Sequence, residues 1–432
     1  MRITILTIGS RGDVQPCIAL AVGLQRVGHT VRFATHAIFE SWVRSYGLDF
    51  ALVRFNPQDI VNHPKAQKSK ANIVRFMLTV RRIVGPQFHA VFEDFWQASQ
   101  GAEAIIASPA AYGAYDCAEK LRVPLIIGLL QPLIPTRAFP SFFSPPMPNI
   151  GGTYNLLTHW LFEQLLWHSV RNWLTHWRRA KLQLPPAPFM GPYAQMRAKR
   201  VPHILSCSPA VIPKPADWAD WHYISGYWFL DPPADWHPPA ALEQFLQAGP
   251  PPIYIGFGSM RDERPEILTR IVVDALDQAG QRGILAAGWG GLGRTALPET
   301  IFRINSIPHC WLFPQMAAIV HHGGAGTTGA SLRSGVPSII VPFGGDQYHW
   351  ARVVVELGVA PKVPSVNKLT ADSLASAIRC AIKDQDLRAR AMELGEMIRA
   401  EDGVSRATDI VDRHIQLMGR IQHVAGGKTG LG

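Results

Sequence analysis

Several features that define whole classes of protein are scarce in this sequence. Charged residues make up only 17% of the 432 residues, against 47% hydrophobic residues with 13 Trp and 19 Phe. A disordered chain, a collagen or a charged coiled coil needs the opposite balance. The most apolar run, 123–135, is interrupted by Gly128 and Pro132 and is shorter than the ~20 residues that span a bilayer. The composition therefore predicts a compact globular protein without a transmembrane helix.

Cysteine is also scarce, and its spacing offers no disulfide or metal framework. The five cysteines are an odd number, with no C-x-x-C pair and no neighbouring His cluster. The first nine residues are one short apolar strand, too short for the apolar region of a secretory signal. We therefore predict a cytoplasmic protein with reduced thiols in its core. The cysteines are Cys17, Cys117, Cys207, Cys310 and Cys380.

Positive charge is in excess, with 42 Lys and Arg against 32 Asp and Glu, a net charge of +10. This balance suits an anionic partner, such as a phosphate ligand, an acidic lipid surface or a nucleic acid. The chain has no recognisable nucleic-acid module and no dense Lys/Arg stripe beside aromatic residues, so we predict no nucleic-acid partner.

Strand patterns alternate with helix patterns in both halves of the chain, which predicts an α/β fold with two doubly wound parallel sheets. The Pro-rich passage DPPADWHPP, followed by GPPP, predicts a linker. The expected division is an N-terminal domain over 1–235, a linker over 236–251, a C-terminal domain over 252–400, and a C-terminal helix with a tail over 401–432. The first helix is predicted to run from Pro16 to Val27, after the strand RITILTI.

The sequence HHGGAGTT, residues 321–328, follows an apolar strand and opens a helix. Small residues let the backbone approach a ligand, and the free N–H groups of a helix start attract an anion such as a diphosphate. The simpler alternative is a Gly-rich turn with a capping Thr. A second loop, PFGGDQ at 342–347, follows the next predicted strand. Both loops should therefore lie at the carboxyl edge of one sheet, where open α/β folds bind ligands.

These motifs resemble a known family. The segment IPHCWLFPQMAAIVHHGGAGTT with VPFGGDQYHW is similar to the donor-site signature of nucleotide-sugar-dependent glycosyltransferases of the GT-B fold. TIGSRGDVQP and QPLIPTRAFP resemble the sterol glucosyltransferase branch, whose relatives glycosylate glycopeptide and macrolide aglycones. The resemblance implies two Rossmann-like domains that face each other across a cleft. It also implies transfer of a hexose, most simply glucose from UDP-glucose, to the hydroxyl of a hydrophobic acceptor.

The resemblance also assigns donor contacts residue by residue. His322, Gly324, Gly326 and Thr327 would hold the diphosphate, with Gly258 and Ser259 on its opposite side. Asp346 and Gln347 would bind the sugar hydroxyls. Backbone groups of the stretch from Trp311 through Phe313 to Gln315 would read the base, with an aromatic ring packing nearby. Trp289 would line the nucleotide, although both tryptophans fit core positions as well. Plant members carry a glutamate at the position of Ala330, so UDP and dTDP both remain candidates.

The acceptor is less well defined than the donor. Its contacts are expected from Gln131, Pro132, Phe139 and Phe143, in an apolar loop that suits any flat hydrophobic alcohol. A dTDP- or UDP-sugar transferase acting on a polyketide, a hopanoid or another natural product is the alternative.

Asp13 is the candidate catalytic base, in the motif Asp13-Val14-Gln15-Pro16 after the first strand. A carboxylate at this place would take the proton of the acceptor hydroxyl, which predicts an inverting single displacement. Residue type alone favours a helix cap for Asp13, whereas the family resemblance favours the base. Arg11 could keep Asp13 ionised, or it could be a solvated surface residue.

No metal site is expected, because the chain lacks an Asp-x-Asp pair at the donor motif. A helix dipole, backbone amides and His322 could stabilise the leaving diphosphate instead. The predicted transfer therefore uses no metal and no cofactor besides the UDP-sugar. A nicotinamide dehydrogenase is not expected, because the first glycine turn is not G-x-G-x-x-G.

The segment from Tyr154 to Leu182 combines four tryptophans with a basic end, which is typical of a helix lying on a membrane surface. The pattern favours a helix packed on the first domain over a membrane-surface helix, because aromatic stripes usually mark core. A peripheral contact with the inner face of a membrane stays open at this point.

Overall fold

The computed structural model describes residues 1–56, 59, 63, 79, 82–83, 85–144, 150–233, 235–260, 265–288, 292–293 and 296–426, with the backbone alone at 86 and 418–426. In this part of the chain, two parallel β-sheets carry helices between their strands. The predicted architecture of two parallel-sheet α/β domains is confirmed. Trp289, a predicted donor contact, lies outside the described residues.

The first sheet has seven strands in the order β3-β2-β1-β4-β5-β6-β7, and the second has five in the order β10-β9-β8-β11-β12. The strands of the first sheet are β1 Arg2–Leu6, β2 Thr30–His36, β3 Asp49–Val53, β4 Ala104–Ala107, β5 Leu125–Leu129, β6 His203–Leu205 and β7 His222–Ile224. The strands of the second sheet are β8 Ile253–Gly256, β9 Gly283–Ala286, β10 Ile301–Ile304, β11 Ala318–His321 and β12 Ser338–Ile340.

Fourteen described α-helices connect or cover these strands. They are α1 Arg11–Arg26, α2 Glu40–Ser45, α3 Phe88–Ala98, α4 Ala114–Leu121, α5 Gly152–Ala180, α6 Tyr193–Ala198, α7 Ala240–Gln247, α8 Pro265–Gln278, α9 His309–Leu312, α10 Ala325–Ser334, α11 Gln347–Glu356, α12 Ala371–Lys383, α13 Gln385–Arg399 and α14 Gly403–Gly426. Short 3₁₀ turns are formed by Ala37–Phe39, Gly85–Gln87, Phe313–Gln315 and Val366–Lys368.

Both sheets reverse their strand order at one point, and this point positions the candidate site. In the first sheet β1 lies between β2 and β4, and in the second β8 lies between β9 and β11. Loops that leave the carboxyl ends of such central strands diverge and open a crevice where ligands bind. The loop after β1 leads to Asp13, and the loops after β8 and β11 contain Gly258 and His322. The strand order thus places one candidate catalytic loop in each domain at a crevice.

Helix α1 begins at Arg11, five residues before the predicted start at Pro16. Ser10 and Asp13 form a capping box, in which the Asp13 carboxylate accepts the backbone N–H of Ser10. This box starts the helix early, and Pro16 is then an internal residue. Because Pro16 has no N–H, it cannot bond the carbonyl of Gly12 as an ordinary residue would.

The predicted linker contains a helix, α7, whose Leu242 is completely buried. Pro238 and Pro239 stand just before this helix, and the residues AALEQFLQ that follow favour helix.

At the other end of the chain, α14 lies against α1 of the first domain. His29 Nε2 is 2.6 Å from Asp412 Oδ1, and the Tyr223 hydroxyl is 2.9 Å from His414 Nε2. The chain therefore returns to its first domain after completing the second sheet.

Helix α5 contains most of the predicted segment from 154 to 182. Trp167 and Trp177 are buried in the core and Trp173 is half-buried, whereas Trp160 is 45% exposed. Most of this aromatic stripe therefore marks core, and only the first part of the helix presents aromatic surface. None of the described helices is long and apolar enough to span a bilayer.

The expectation of five core thiols is corrected at two positions. Cys17, Cys117 and Cys207 are buried, but Cys310 and Cys380 are exposed. Cys380 follows Arg379 on an amphipathic helix whose buried positions are neighbours such as Ile378 and Ala381. The helical period places it on the solvent face.

Candidate active site

The loop after β11 leads directly into α10 and leaves the start of that helix without a side-chain cap. Gly324 has extended backbone angles and flanks the helix, and the Thr328 hydroxyl donates back to the Gly324 carbonyl at 3.0 Å. The backbone N–H groups of the first turn, including those of Gly326 and Thr327, therefore point out of the helix start without a cap. With the half-buried Thr327 hydroxyl beside them, they form a cradle suited to an anion.

The His322 ring fits between two glycine loops. A methyl group on Gly258 would lie 2.9 Å from His322 Cε1, and one on Gly324 would lie 2.5 Å from His322 Nε2. Glycine is thus required at both places, and the imidazole edge reaches the uncapped helix start. Gly258 also has a φ of +58°, the left-handed region that favours glycine.

Burial lowers the pKa of His322 to about 4, so this ring is neutral at neutral pH. It can offer an N–H to a diphosphate but brings no positive charge. Nδ1 of His322 is buried without a hydrogen-bond partner. The preceding His321 has a structural contact, because its Nδ1 accepts the N–H of Gly323 at 3.1 Å.

Ser259 is half-buried in the turn after β8, where Met260 N–H donates to the Phe257 carbonyl at 3.0 Å. This turn brings Gly258 against the same edge of the His322 ring that Gly324 contacts. The two glycine loops predicted from the sequence are therefore brought together around one imidazole.

Asp346 and Gln347 follow β12 at the start of α11, and their side chains differ in how many of their polar atoms are already hydrogen-bonded within the protein. The Asp346 carboxylate does not cap its own helix; its Oδ2 accepts from Gln131 Nε2 at 3.4 Å and Trp350 Nε1 at 3.2 Å. Gln347 is buried, and its Oε1 accepts the N–H groups of Phe343 and Gly344. Its amide nitrogen lies 3.1 Å from the Met260 sulfur, a weak acceptor. Only the amide nitrogen of Gln347 can therefore bind a sugar without loss of the hydrogen bonds that its oxygen accepts from the loop.

The predicted base-binding segment separates into core and surface. Phe313 is completely buried and packs against Tyr254 and His309 with ring centroids 4.8 and 4.2 Å apart. Its buried side chain leaves only the backbone of Phe313 for the predicted contact with the base, and that contact stays a prediction. Trp311 is half-buried with its ring 5.6 Å from that of Trp236, and Gln315 donates to the Trp311 carbonyl.

Asp13 is both a cap and a cleft residue. Its Oδ2 accepts the Ser10 backbone N–H at 2.7 Å and the Ser10 hydroxyl at 3.0 Å, and Oδ1 is left for a further donor. Burial raises the pKa of Asp13, while both Ser10 donors act against that rise. A raised pKa improves a carboxylate as a proton acceptor near neutral pH.

Arg11 does not pair with Asp13. Its guanidinium donates to the Ser306 hydroxyl of the second domain and lies 4.8 Å from the centre of the Trp42 ring. The expected charge pair is therefore replaced by a bridge across the cleft.

The two domains meet at these loops. A methyl group on Gly326 would lie 3.6 Å from the Gly12 carbonyl oxygen, so the starts of α1 and α10 are nearly in contact. The charge of Asp13 is close enough to Asp346 to raise its pKa, which burial has already raised, to about 6. The candidate base, diphosphate cradle and sugar-binding carboxylate thus converge on one cleft.

The predicted acceptor residues lie in one loop after β5 but differ in exposure. Gln131, Phe139 and Phe143 are half-buried, whereas Pro132 is buried. Phe143 stacks on Phe162 of α5 with ring centroids 4.5 Å apart. The loop therefore joins the cleft to the exposed first part of α5.

Sequence analysis missed residues that connect the domains. Phe142 of the acceptor loop stacks on His349 at 4.9 Å and meets Trp350 edge-on at 5.3 Å between ring centroids. The spacing of Trp350 four residues after Asp346 placed both on one helix face, which was a usable signal. No signal in the sequence pointed to Phe142.

No cluster of three or more His, Cys, Asp or Glu side chains in the described ranges could hold a metal ion. Transfer without a metal ion stays a prediction to be tested.

Comparisons with known proteins agree with this arrangement. Residues 3–140 match the glycosyltransferase family 28 N-terminal domain, and residues 287–417 match the erythromycin biosynthesis protein CIII-like C-terminal domain. The chain is 40% identical to a sterol 3-beta-glucosyltransferase of Emericella nidulans over 96% of its own length and 30% of the relative. A sterol 3-beta-glucosyltransferase of Cryptococcus neoformans is 38% identical, with 96% and 27% covered. The chain thus spans less than a third of the length of these relatives.

Solved structures are similar in fold. The glycosyltransferase SnogD from Streptomyces nogalater has a TM-score of 0.67 at 19% identity, covering 96% of this chain and 99% of its own. The calicheamicin glycosyltransferase CalG4 has a TM-score of 0.65 at 18% identity, covering 96% and 98%.

Proposed function

We propose that this chain, which matches two glycosyltransferase family models and is 38–40% identical to sterol 3-beta-glucosyltransferases, is itself such an enzyme. In this proposal it transfers glucose from UDP-glucose to a sterol hydroxyl, inverting the anomeric carbon without a metal ion. The observation that carries this proposal is the meeting of Asp13 with the diphosphate cradle of α10 across one cleft. The 38–40% identical relatives named as sterol 3-beta-glucosyltransferases support the acceptor class.

Asp13 is the base of this single displacement. Its carboxylate accepts the proton of the acceptor hydroxyl while the hydroxyl oxygen forms its bond to the anomeric carbon. Ser10 fixes Oδ2, so the proton goes to Oδ1. The close approach of the starts of α1 and α10 would help to shield the reacting atoms from water, which limits wasteful hydrolysis of the donor.

The leaving group is held on the opposite side. The bond between the anomeric carbon and the diphosphate oxygen breaks, and the electron pair leaves with UDP. The N–H groups at the start of α10, the Thr327 hydroxyl and the neutral His322 donate hydrogen bonds to that developing charge. Attack from the Asp13 side and departure on the α10 side give inversion.

Asp346 binds the sugar in this proposal. Its position at the start of α11 places it beside both Asp13 and the donor loop. A buried carboxylate paired to a sugar hydroxyl rejects an epimer that leaves it unpaired. The amide nitrogen of Gln347 is the second donor available to the sugar.

The test is a transfer assay with the purified chain, radiolabelled UDP-glucose or dTDP-glucose, and a panel of sterols, hopanoids and polyketides, with and without EDTA. We expect a β-linked sterol glucoside at the same rate in both conditions. An α-linked product would overturn the single displacement, and loss of activity with EDTA would overturn metal independence. Transfer only to hopanoids or polyketides, or only from dTDP-glucose, would replace the sterol or UDP part of the proposal.

A lipid surface is the proposed peripheral partner. Leu157, Trp160 and Leu161 are exposed on the first part of α5, and Phe189 is exposed beside the same helix under the Arg171 guanidinium. Exposed aromatic and aliphatic side chains near basic residues suit an anionic bilayer interface. This surface adjoins the acceptor loop, because Ser141 N–H donates to Thr158 Oγ1. A membrane-dissolved acceptor could therefore enter from there.

Sedimentation with phosphatidylcholine/phosphatidylserine vesicles checks this contact. We expect Trp160→Glu and Leu161→Glu together to lower the vesicle-bound fraction several-fold. Met397→Glu is the matched control, because Met397 is equally exposed but lies on α13 of the second domain. Equal binding by the double variant and the control would exclude this surface.

A further inference from the structure

Trp350 holds the carboxylate that the proposed function assigns to the sugar. It lies in the first turns of α11 with no exposed surface, and its Nε1 donates to Asp346 Oδ2 at 3.2 Å. An aspartate flanking a helix start usually turns back to cap the helix N–H groups. Asp346 does not, so the indole N–H, one turn along the same helix, holds its carboxylate toward the cleft.

Two further contacts of this carboxylate and this indole come from the first domain. Gln131 donates to the same Oδ2 at 3.4 Å, and Phe142, eleven residues later in the same loop, meets the Trp350 ring edge-on at 5.3 Å. Phe142 is 2% exposed and also stacks on His349. The acceptor loop thus contacts both the sugar-side carboxylate and the residue that orients it.

We propose that Trp350 is a positioning residue that orients the Asp346 carboxylate for the donor sugar, and that Phe142 of the acceptor loop holds Trp350 in that position. The inference rests on the proposed function. With Oδ2 occupied by two N–H donors, Oδ1 is left to accept from a sugar hydroxyl. Sugar recognition in the second domain therefore depends on the seating of the acceptor loop of the first.

The electrostatics of the site give this role a measurable signature. Burial, and then the Asp13 charge on α1, raise the pKa of Asp346 to about 6, whereas the Gln131 and Trp350 donors lower it. On its own helix, His349 is neutral because burial lowers its pKa to about 4, and Arg352 lies 3.1 Å from its Nδ1. Removing the indole N–H should raise the pKa of Asp346 further. The carboxylate would then be protonated, and lose its strong acceptor character, at a higher pH.

Titration calorimetry with UDP-glucose and UDP, from pH 5.5 to 8, tests the inference. Trp350→Phe keeps an aromatic ring but removes the N–H. We expect this variant to lower the affinity for UDP-glucose about tenfold, which is the size of a lost hydrogen bond to a charged group. The affinity for UDP should stay within twofold of wild type. The pH at which UDP-glucose affinity falls should move upward. Phe142→Leu keeps the indole N–H of Trp350 and should lower the affinity for UDP-glucose about threefold, again without changing the affinity for UDP.

UDP is the internal control, because it fills the cradle of α10 but carries no sugar. Equal loss of UDP and UDP-glucose affinity in Trp350→Phe would show a merely structural role and overturn the inference. Wild-type affinity for UDP-glucose in both variants would also overturn the inference. If Trp350→Phe does not fold, Phe142→Leu decides alone. A wild-type chain that binds no nucleotide sugar would overturn the proposed function itself, whereas wild-type binding unaffected by these variants overturns only the positioning role.

Discussion

Asp13→Asn should lower turnover by about 100-fold or more, the usual contribution of a positioned base. The variant keeps the shape of the side chain, and an amide oxygen can still accept the Ser10 N–H that starts α1. The melting temperature and the affinity for UDP should therefore stay near wild type. Steady-state kinetics, thermal unfolding and calorimetry on the same preparation separate these effects.

A second aspartate provides the matched control. Asp384 caps α13 by accepting the Leu387 N–H at 2.9 Å, and it belongs to the helices behind the second sheet. Asp384→Asn should leave turnover unchanged, because capping alone has no part in proton transfer. Asp13→Asn with normal turnover would reduce Asp13 to a cap. In that case Asp13→Ala should cost about 1 kcal/mol of stability instead.

His322→Ala should weaken UDP binding by about 1–3 kcal/mol, the cost of leaving a buried hydrogen-bonding group without its partner. The loss should be the same at pH 7 and pH 8. Burial lowers the pKa of His322 to about 4, so the ring is neutral at both values and no histidine proton is lost between them. Calorimetry with UDP measures the change.

Uridine serves as the control ligand, because it lacks the diphosphate. We expect its affinity to be the same for wild type and His322→Ala. Thr327→Val, which removes only a hydroxyl at the start of α10, should also weaken UDP while sparing uridine. Unchanged UDP affinity in both variants would contradict the assignment of the diphosphate to this loop.

The sequence determined the elements that carry chemistry within each domain. A strand that ends in HHGG and opens a helix leaves uncapped N–H groups at a sheet edge, and local backbone chemistry is enough to predict this. Strand β4 coincides with the apolar run between Glu103 and Ser108, and β8 begins directly after the prolines at 250–252. The sequence predicts a start of α1 at Pro16, whereas the Ser10–Asp13 capping box starts the helix at Arg11.

Only the tertiary structure decided which side chains face the cleft. Phe313 and Trp311 are aromatic residues two positions apart, yet one is completely buried and the other half-buried. Residue type cannot separate them, because burial depends on what the second sheet places opposite each ring. The oxygen of Gln347 likewise accepts hydrogen bonds from its own loop, which residue type does not predict.

The docking of the two domains decided the rest. Asp13 meets Asp346, Arg11 meets Ser306, and Phe142 meets Trp350 across about 200 or more residues of sequence. Such contacts leave no periodic pattern, because each depends on the relative placement of two separately folded sheets. The sequence by itself therefore determined the two half-sites, and packing between the domains determined how they combine into one.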